Sequence, residues 1–238
     1  MVDIKKIFNL MERIDESYQK HLLYKKELNE AMKDSFDFAE LDRIVEKCVN
    51  NGDYSYGNAI VYCREQLGPE IGKGSSRYVF QISDEWCLKL AYNDKGIQQN
   101  KVEINTNTEK SPLFPFIYDS SLYNAWIVSE AVLTAEEQDF YHCLGMDMWE
   151  FFDLIDMMKS TKRYDTHVDE VNQAIDNDKS GFLKLLYDYI IKYDIPIGDL
   201  SVEENWGLTR RNGQDHIVLL DAGWNKETLE MYGFRASS

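Results

Sequence analysis

Apolar residues repeat with one period before Gly68-Pro69 and with another after it, and this switch constrains the fold more than any other feature. Upstream the period is helical. Ile4, Ile7, Phe8, Met11 and Ile14 recur at offsets of three and four, the stripe of an amphipathic helix. Leu41, Ile44, Val45 and Cys48 repeat it, Asn50-Asn51-Gly52-Asp53 forms a turn cluster, and Ile60, Cys63 and Leu67 mark a further helix. Pro69 ends that helix, because it has no N–H to donate and biases Gly68 away from helical geometry.

Downstream the pattern turns to strands. Tyr78-Val79-Phe80-Gln81-Ile82 is β-branched and aromatic, and Trp86-Cys87-Leu88-Lys89-Leu90-Ala91 reads as its hairpin partner. Residues 96–109 read as a helix and Ala125-Trp126-Ile127-Val128 as another strand. Beyond residue 132 helical stripes return at Met148, Phe151, Phe152, Ile155 and Met158, and at Phe182, Leu185, Leu186, Tyr189 and Ile190. Asn212-Gly213 then signals a hairpin between Trp206-Gly207-Leu208 and Ile217-Val218-Leu219-Leu220. The expected organisation is α+β in three zones: a helical extension (1–68), a strand-rich part (69–132) and a mainly helical part (133–238).

Composition narrows the function. Apolar residues make up 44% of the 238, enough for a substantial core, which excludes a wholly disordered chain. Lys and Arg number 26 against 42 Asp and Glu, a net charge of −16, so phosphate backbones repel the chain and nucleic acid is not expected as a partner. No apolar run approaches the roughly 20 residues of a membrane span, and no signal-peptide pattern follows Met1. A soluble, cytoplasmic protein without membrane contact is expected. Cys48, Cys63, Cys87 and Cys143 form no CxxC pair, so reduced, mostly buried thiols are expected rather than a zinc site. The acidic stretch from Asp165 to Asp178 reads as a solvated face.

Several residues carry chemistry. Gly72, Lys73, Gly74 and Ser75 place two glycines ahead of the strand that contains Val79; glycine lets backbone N–H groups approach phosphate oxygens, although an ordinary hairpin turn uses the same residues. Lys89 stands in an apolar strand, where an ammonium needs a partner or an exposed face, and Glu103 in the next helix is a candidate partner. Asp199, Asn205 and Asp221 come later. Asn205 and Asp221 belong to the two strands of one hairpin and offer oxygen ligands suited to Mg²⁺; Asp199 is placed to accept or orient a hydroxyl proton. Singly, Lys89 also reads as a snorkelling surface lysine, Asn205 as an Asx turn and Asp221 as a strand-end turn former.

In this order the parts resemble the protein-kinase-like superfamily, which includes small-molecule phosphotransferases. Gly72 and Gly74 with Val79 resemble the Gly-rich loop, Lys89 the strand-three lysine and Glu103 its helix partner. Ser129-Glu130-Ala131-Val132 resembles the hinge whose backbone holds adenine, Gly198-Asp199-Leu200 the start of the catalytic loop, Asn205 its metal-binding asparagine and Asp221-Ala222-Gly223 the Asp-Phe-Gly motif. The resemblance covers about residues 70–224. It implies a two-lobed fold with a small antiparallel-sheet N-lobe and a reduced helical C-lobe. It also implies ATP and Mg²⁺ as cofactors and γ-phosphoryl transfer to a hydroxyl on a protein or small molecule.

The sequence departs from that pattern. Arg77 replaces the third loop glycine, and the catalytic loop lacks its histidine. Asn205 lies six residues after Asp199, one more than in H-R-D-x-x-x-x-N, so Glu203 and Glu204 also compete for the base role. Only 15 residues follow Gly223, too few for the usual activation segment and the helices beyond it, so the usual substrate platform is expected to be absent or rebuilt from 134–178 and the N-terminal helices. A pseudokinase whose N-terminal helices bind a protein partner, and an AMP-transferring relative, are the alternatives.

Overall fold

A computed structural model describes residues 36–53, 55–107, 111–193, 200–211 and 213–220. The stripe at Ile4 to Ile14, and Asp199, Asn212 and Asp221, lie outside the described residues. The architecture is α+β, with one five-stranded and one three-stranded antiparallel sheet.

Helix α1 spans Phe38–Asn50 and α2 spans Gly57–Leu67. Asp37 caps α1 by accepting from the Glu40 N–H at 2.9 Å, and Gly68, at φ +87°, stops α2 beside Pro69. The larger sheet runs in the order β1 (Gly72–Lys73), β2 (Arg77–Gln81), β3 (Trp86–Ala91), β5 (Trp126–Glu130), β4 (Ile117–Ser120). Helix α3 (Asp94–Asn107) connects β3 to β4 and packs on β3 and β5.

Every residue of β3 is buried, which requires cover on both faces of the sheet. Leu88 and Leu90 share one core with Leu41 and Val45 of α1, Ile60 and Cys63 of α2, Phe80 and Trp126. Lys89 points the other way, toward α3. The apolar stripes of α1 and α2 are thus spent on the sheet, and residues 36–67 are integral to its core.

The second core joins α4 (Glu137–Leu144), α5 (Met148–Tyr164), α6 (Val168–Asn177) and α7 (Phe182–Tyr193) to the smaller sheet, β6 (Leu133–Thr134), β7 (Trp206–Arg211) and β8 (Gln214–Leu219). Phe151, Ile155 and Met158 meet Leu183, Leu186 and Ile190 there, around Trp206. The stretch read as a solvated face is helix α6, which buries Val171 and leaves most of its carboxylates in water.

The two cores meet at a buried ion pair. The Arg211 guanidinium donates to Glu130 Oε2 at 2.6 Å and to the carbonyls of Phe114 at 2.8 Å and Pro112 at 3.0 Å, and lies 3.8 Å from the Phe116 ring centroid. The Thr209 hydroxyl also donates to Glu130. With its hydrogen bonds filled this way, such a pair fixes geometry more than it adds stability. Among the described residues, no helix is long and apolar enough to cross a membrane.

Candidate functional site

The sheet register arranges the site. Gly72 pairs with Val79, Val79 with Lys89, and Lys89 with Ile127, so three residues singled out from the sequence lie in one row across β1, β2 and β3. Side chains directly opposite each other share a face, which puts Val79 beside Lys89.

Lys89 is only 9% exposed, so the surface-lysine alternative does not hold. Its Nζ donates to Glu103 Oε2 at 2.9 Å and to the Leu220 carbonyl oxygen at 3.1 Å. Leu220 immediately precedes Asp221, and its own N–H donates to the Asn205 carbonyl at 2.8 Å. A chain of contacts therefore links Glu103, Lys89, Leu220 and Asn205. Asn205 ends the 3₁₀ turn Glu203–Asn205, one residue before β7 rather than within it, and is half-buried.

Burial pushes the Glu103 carboxyl up, but the charges and hydrogen bonds of Arg77 and Lys89 outweigh it and hold the group below the usual carboxylate range. Arg77, which stands where the loop's third glycine is expected, is not part of an open loop. It begins β2 and is buried against α3, where its Nη1 donates to Glu103 Oε1 at 2.5 Å and to Asn100 Oδ1 at 3.2 Å.

The glycine loop is a tight hairpin. The Gly74 N–H donates to the Arg77 carbonyl at 2.9 Å, the Gly74 carbonyl accepts from the Tyr92 hydroxyl at 2.9 Å, and Asn93 reaches the Ser75 carbonyl at 3.3 Å. Lys73 lies on β1 with its Nζ 5.0 Å from the Tyr78 ring centroid. Neither Gly72 nor Gly74 has positive φ, so the turn itself does not demand glycine at either position.

At the segment read as the hinge, the Glu130 N–H donates to the Phe116 carbonyl at 2.8 Å and the Ala131 N–H to the Glu85 carbonyl at 2.7 Å. The Glu130 carboxylate is held by Arg211 and Thr209. These groups serve the fold, and the sequence reading missed this use of them. Val132 lies over Gly207 of β7, where a Cβ would strike Val132 Cγ1 and come within 2.8 Å of Leu220 Cδ2. Gly207 thereby lets the segment after β5 approach the residue before Asp221.

None of the known protein-family models matches the chain, and no curated protein does.

The thiols lie apart from this chemistry. All four cysteines are free; burial pushes the Cys63 thiol up to about 12 and is the largest cause of the rise at Cys143, to about 11. An acidic hollow lined by Glu136, Glu137, Gln138, Tyr141 and Asp147 shares no residue with the Lys89 cluster. Glu136 and Asp147 are engaged in capping boxes at the starts of α4 and α5.

Proposed function

We propose that this chain is a Mg-ATP-dependent phosphotransferase of the protein-kinase-like superfamily, acting in the cytoplasm on a hydroxyl of a protein or small molecule. The observation that carries the reading is Lys89, buried between Glu103 of α3 and the carbonyl of the residue before Asp221. In protein kinases a lysine–glutamate pair of this kind and a metal-binding aspartate must both be in place. Support also comes from a five-stranded antiparallel sheet with one helix on its Lys89 side and a second core made largely of helices, features compatible with the two-lobed arrangement the resemblance implies.

In this reading Lys89 releases the Leu220 carbonyl and donates to a nucleotide phosphate while Glu103 holds its position. Val79 and the 72–75 hairpin cover the phosphates, and the backbone of the 130–132 segment, including Val132, borders the base. Asn205 and Asp221 are hard oxygen donors suited to Mg²⁺, which neutralises charge on the transferring group when bound. Asp199 takes or orients the acceptor proton, with Glu203 and Glu204 as competitors; both glutamates are exposed on the 3₁₀ turn before β7.

A second reading, a nucleotide-binding or protein-interaction module without transfer, is favoured by the catalytic loop Ile197-Gly198-Asp199, which lacks the family's histidine. Purified chain incubated with γ-labelled ATP, Mg²⁺ and a panel of protein and small-molecule acceptors separates the two. Transfer that Asp221→Asn abolishes supports the phosphotransferase. A thermal shift with nucleotide but no transfer supports the binding module, and no shift with any nucleotide overturns both. Label transferred from α-labelled ATP identifies AMP transfer instead.

A further inference from the structure

Helix α3 is seated on polar groups. Gly96, Gln99, Asn100 and Glu103 recur at offsets of three and four, so they form one helical face, and all four are buried. Each meets the start of β2 or its surroundings. A Cβ on Gly96 would strike the Ser76 carbonyl and come within 2.9 Å of Ala91 Cβ. Gln99 accepts from the Ser76 hydroxyl, Asn100 accepts from Arg77 and donates to the Asn124 carbonyl at 2.8 Å, and Glu103 accepts from Arg77. None of these contacts involves Lys89.

Glu103 therefore serves two cations at once. One carboxylate balances one positive charge, so the trio of Arg77, Lys89 and Glu103 carries a net positive charge, with the Leu220 carbonyl as a further acceptor for Lys89. A lysine paired alone with a buried glutamate would form a neutral unit, and drawing it toward another anion would leave the carboxylate short of a partner. With Arg77 on the second oxygen, Glu103 keeps a charged donor whichever way the ammonium turns.

We propose that Arg77 is a positioning residue for the phosphate site. It fixes Glu103, and through it α3, without help from a nucleotide, and so leaves Lys89 able to turn from the Leu220 carbonyl to a phosphate oxygen. This rests on the phosphotransferase reading.

The test combines hydrogen exchange of the full chain, with and without a non-hydrolysable ATP analogue and Mg²⁺, with analogue affinity for wild type, Arg77→Met and Arg77→Lys. In wild type the α3 amides are protected before the analogue is added and change less than about twofold on its addition. In Arg77→Met, which keeps the bulk but not the charge, α3 exchange speeds about tenfold or more and affinity falls about tenfold or more; Arg77→Lys recovers both to within about threefold. A packing role predicts the reverse order of the two variants. If Arg77→Met does not fold, the wild-type exchange and Arg77→Lys decide. Wild-type α3 that exchanges like a loop until the analogue binds overturns the inference, as does Arg77→Met with wild-type affinity or Arg77→Lys that recovers nothing. Wild type that binds no analogue overturns the phosphotransferase reading and this role with it.

Discussion

The Lys89 ammonium lies 3.1 Å from the Leu220 carbonyl oxygen across 131 residues of chain. It is the contact that brings the larger sheet to the end of β8. On the other side the same ammonium meets Glu103, which also holds Arg77. The two ends of the Lys89–Glu103 pair are therefore not equivalent. Removing the glutamate takes away the carboxylate that two buried cations share; removing the lysine leaves a glutamate still paired with Arg77. Glu103→Gln is expected to cost about 3–5 kcal/mol of stability and Lys89→Met clearly less. Urea unfolding followed by circular dichroism measures both, and equal losses would contradict the shared-carboxylate geometry.

Activity should reverse that order. Lys89 is the group that would touch phosphate, so Lys89→Met is expected to lower γ-phosphoryl transfer by about 10²–10³-fold while the chain stays folded. Initial rates with γ-labelled ATP at matched folded fraction check this; a variant with full activity would place phosphate binding elsewhere.

The Glu103 carboxyl sits below the ordinary 4.5 because its two cations outweigh its burial. Folding therefore favours its ionised form. Its contribution is complete above the ordinary carboxyl range and is lost as pH falls through the depressed folded value. Protection of the α3 amides should hold from pH 7 down through the ordinary carboxyl range and fall off only below it. Exchange measured across that range, corrected for intrinsic rates, checks the prediction; loss beginning near neutrality would contradict it.

Gly96 tests how α3 is seated. A methyl there would meet the Ser76 carbonyl and Ala91, both part of the sheet framework rather than flexible side-chain ends. Gly96→Ala raises intrinsic helix propensity by up to about 1 kcal/mol, yet is expected to destabilise the protein by about 1–3 kcal/mol and to weaken nucleotide binding as Glu103 is displaced. Thermal melts with and without nucleotide measure both effects, and a stabilised variant would show that the helix is seated differently.

The junction between the cores offers a separate test. Arg211 donates to a carboxylate and two carbonyls and covers the Phe116 ring. Lysine cannot reproduce that planar fork. Arg211→Lys is expected to cost about 2–4 kcal/mol, nearly as much as Arg211→Met. Near-complete recovery by lysine, read from denaturant midpoints, would mean that charge alone holds the junction.

Much of this was legible in the sequence wherever a residue broke its local pattern. Lys89 stood out because an ammonium does not belong in Cys87-Leu88-Lys89-Leu90-Ala91 without a partner, and Glu103 followed as that partner. The long apolar stripes of α5 and α7 were equally plain. Short or polar elements were not: β6 is two exposed residues held by backbone pairing to Gly207 and Leu208, and α6 buries only Val171 fully. Asn100 and Glu103, which accept from Arg77, lie 23 and 26 residues away, and no local spacing announces such contacts. One signal was available and unused, the shared helical face of Gly96, Gln99, Asn100 and Glu103.

That face has a consequence for how α3 finds its place. A helix seated on oily side chains can slip by a turn and still be half satisfied, because greasy surfaces are interchangeable. Gln99, Asn100 and Glu103 each answer to particular polar atoms in set directions, so a slipped register meets none of them. The helix thus works as an indexed key, whose misfit is all-or-nothing and whose correct fit sets Glu103 against Lys89 and Arg77 in the same step.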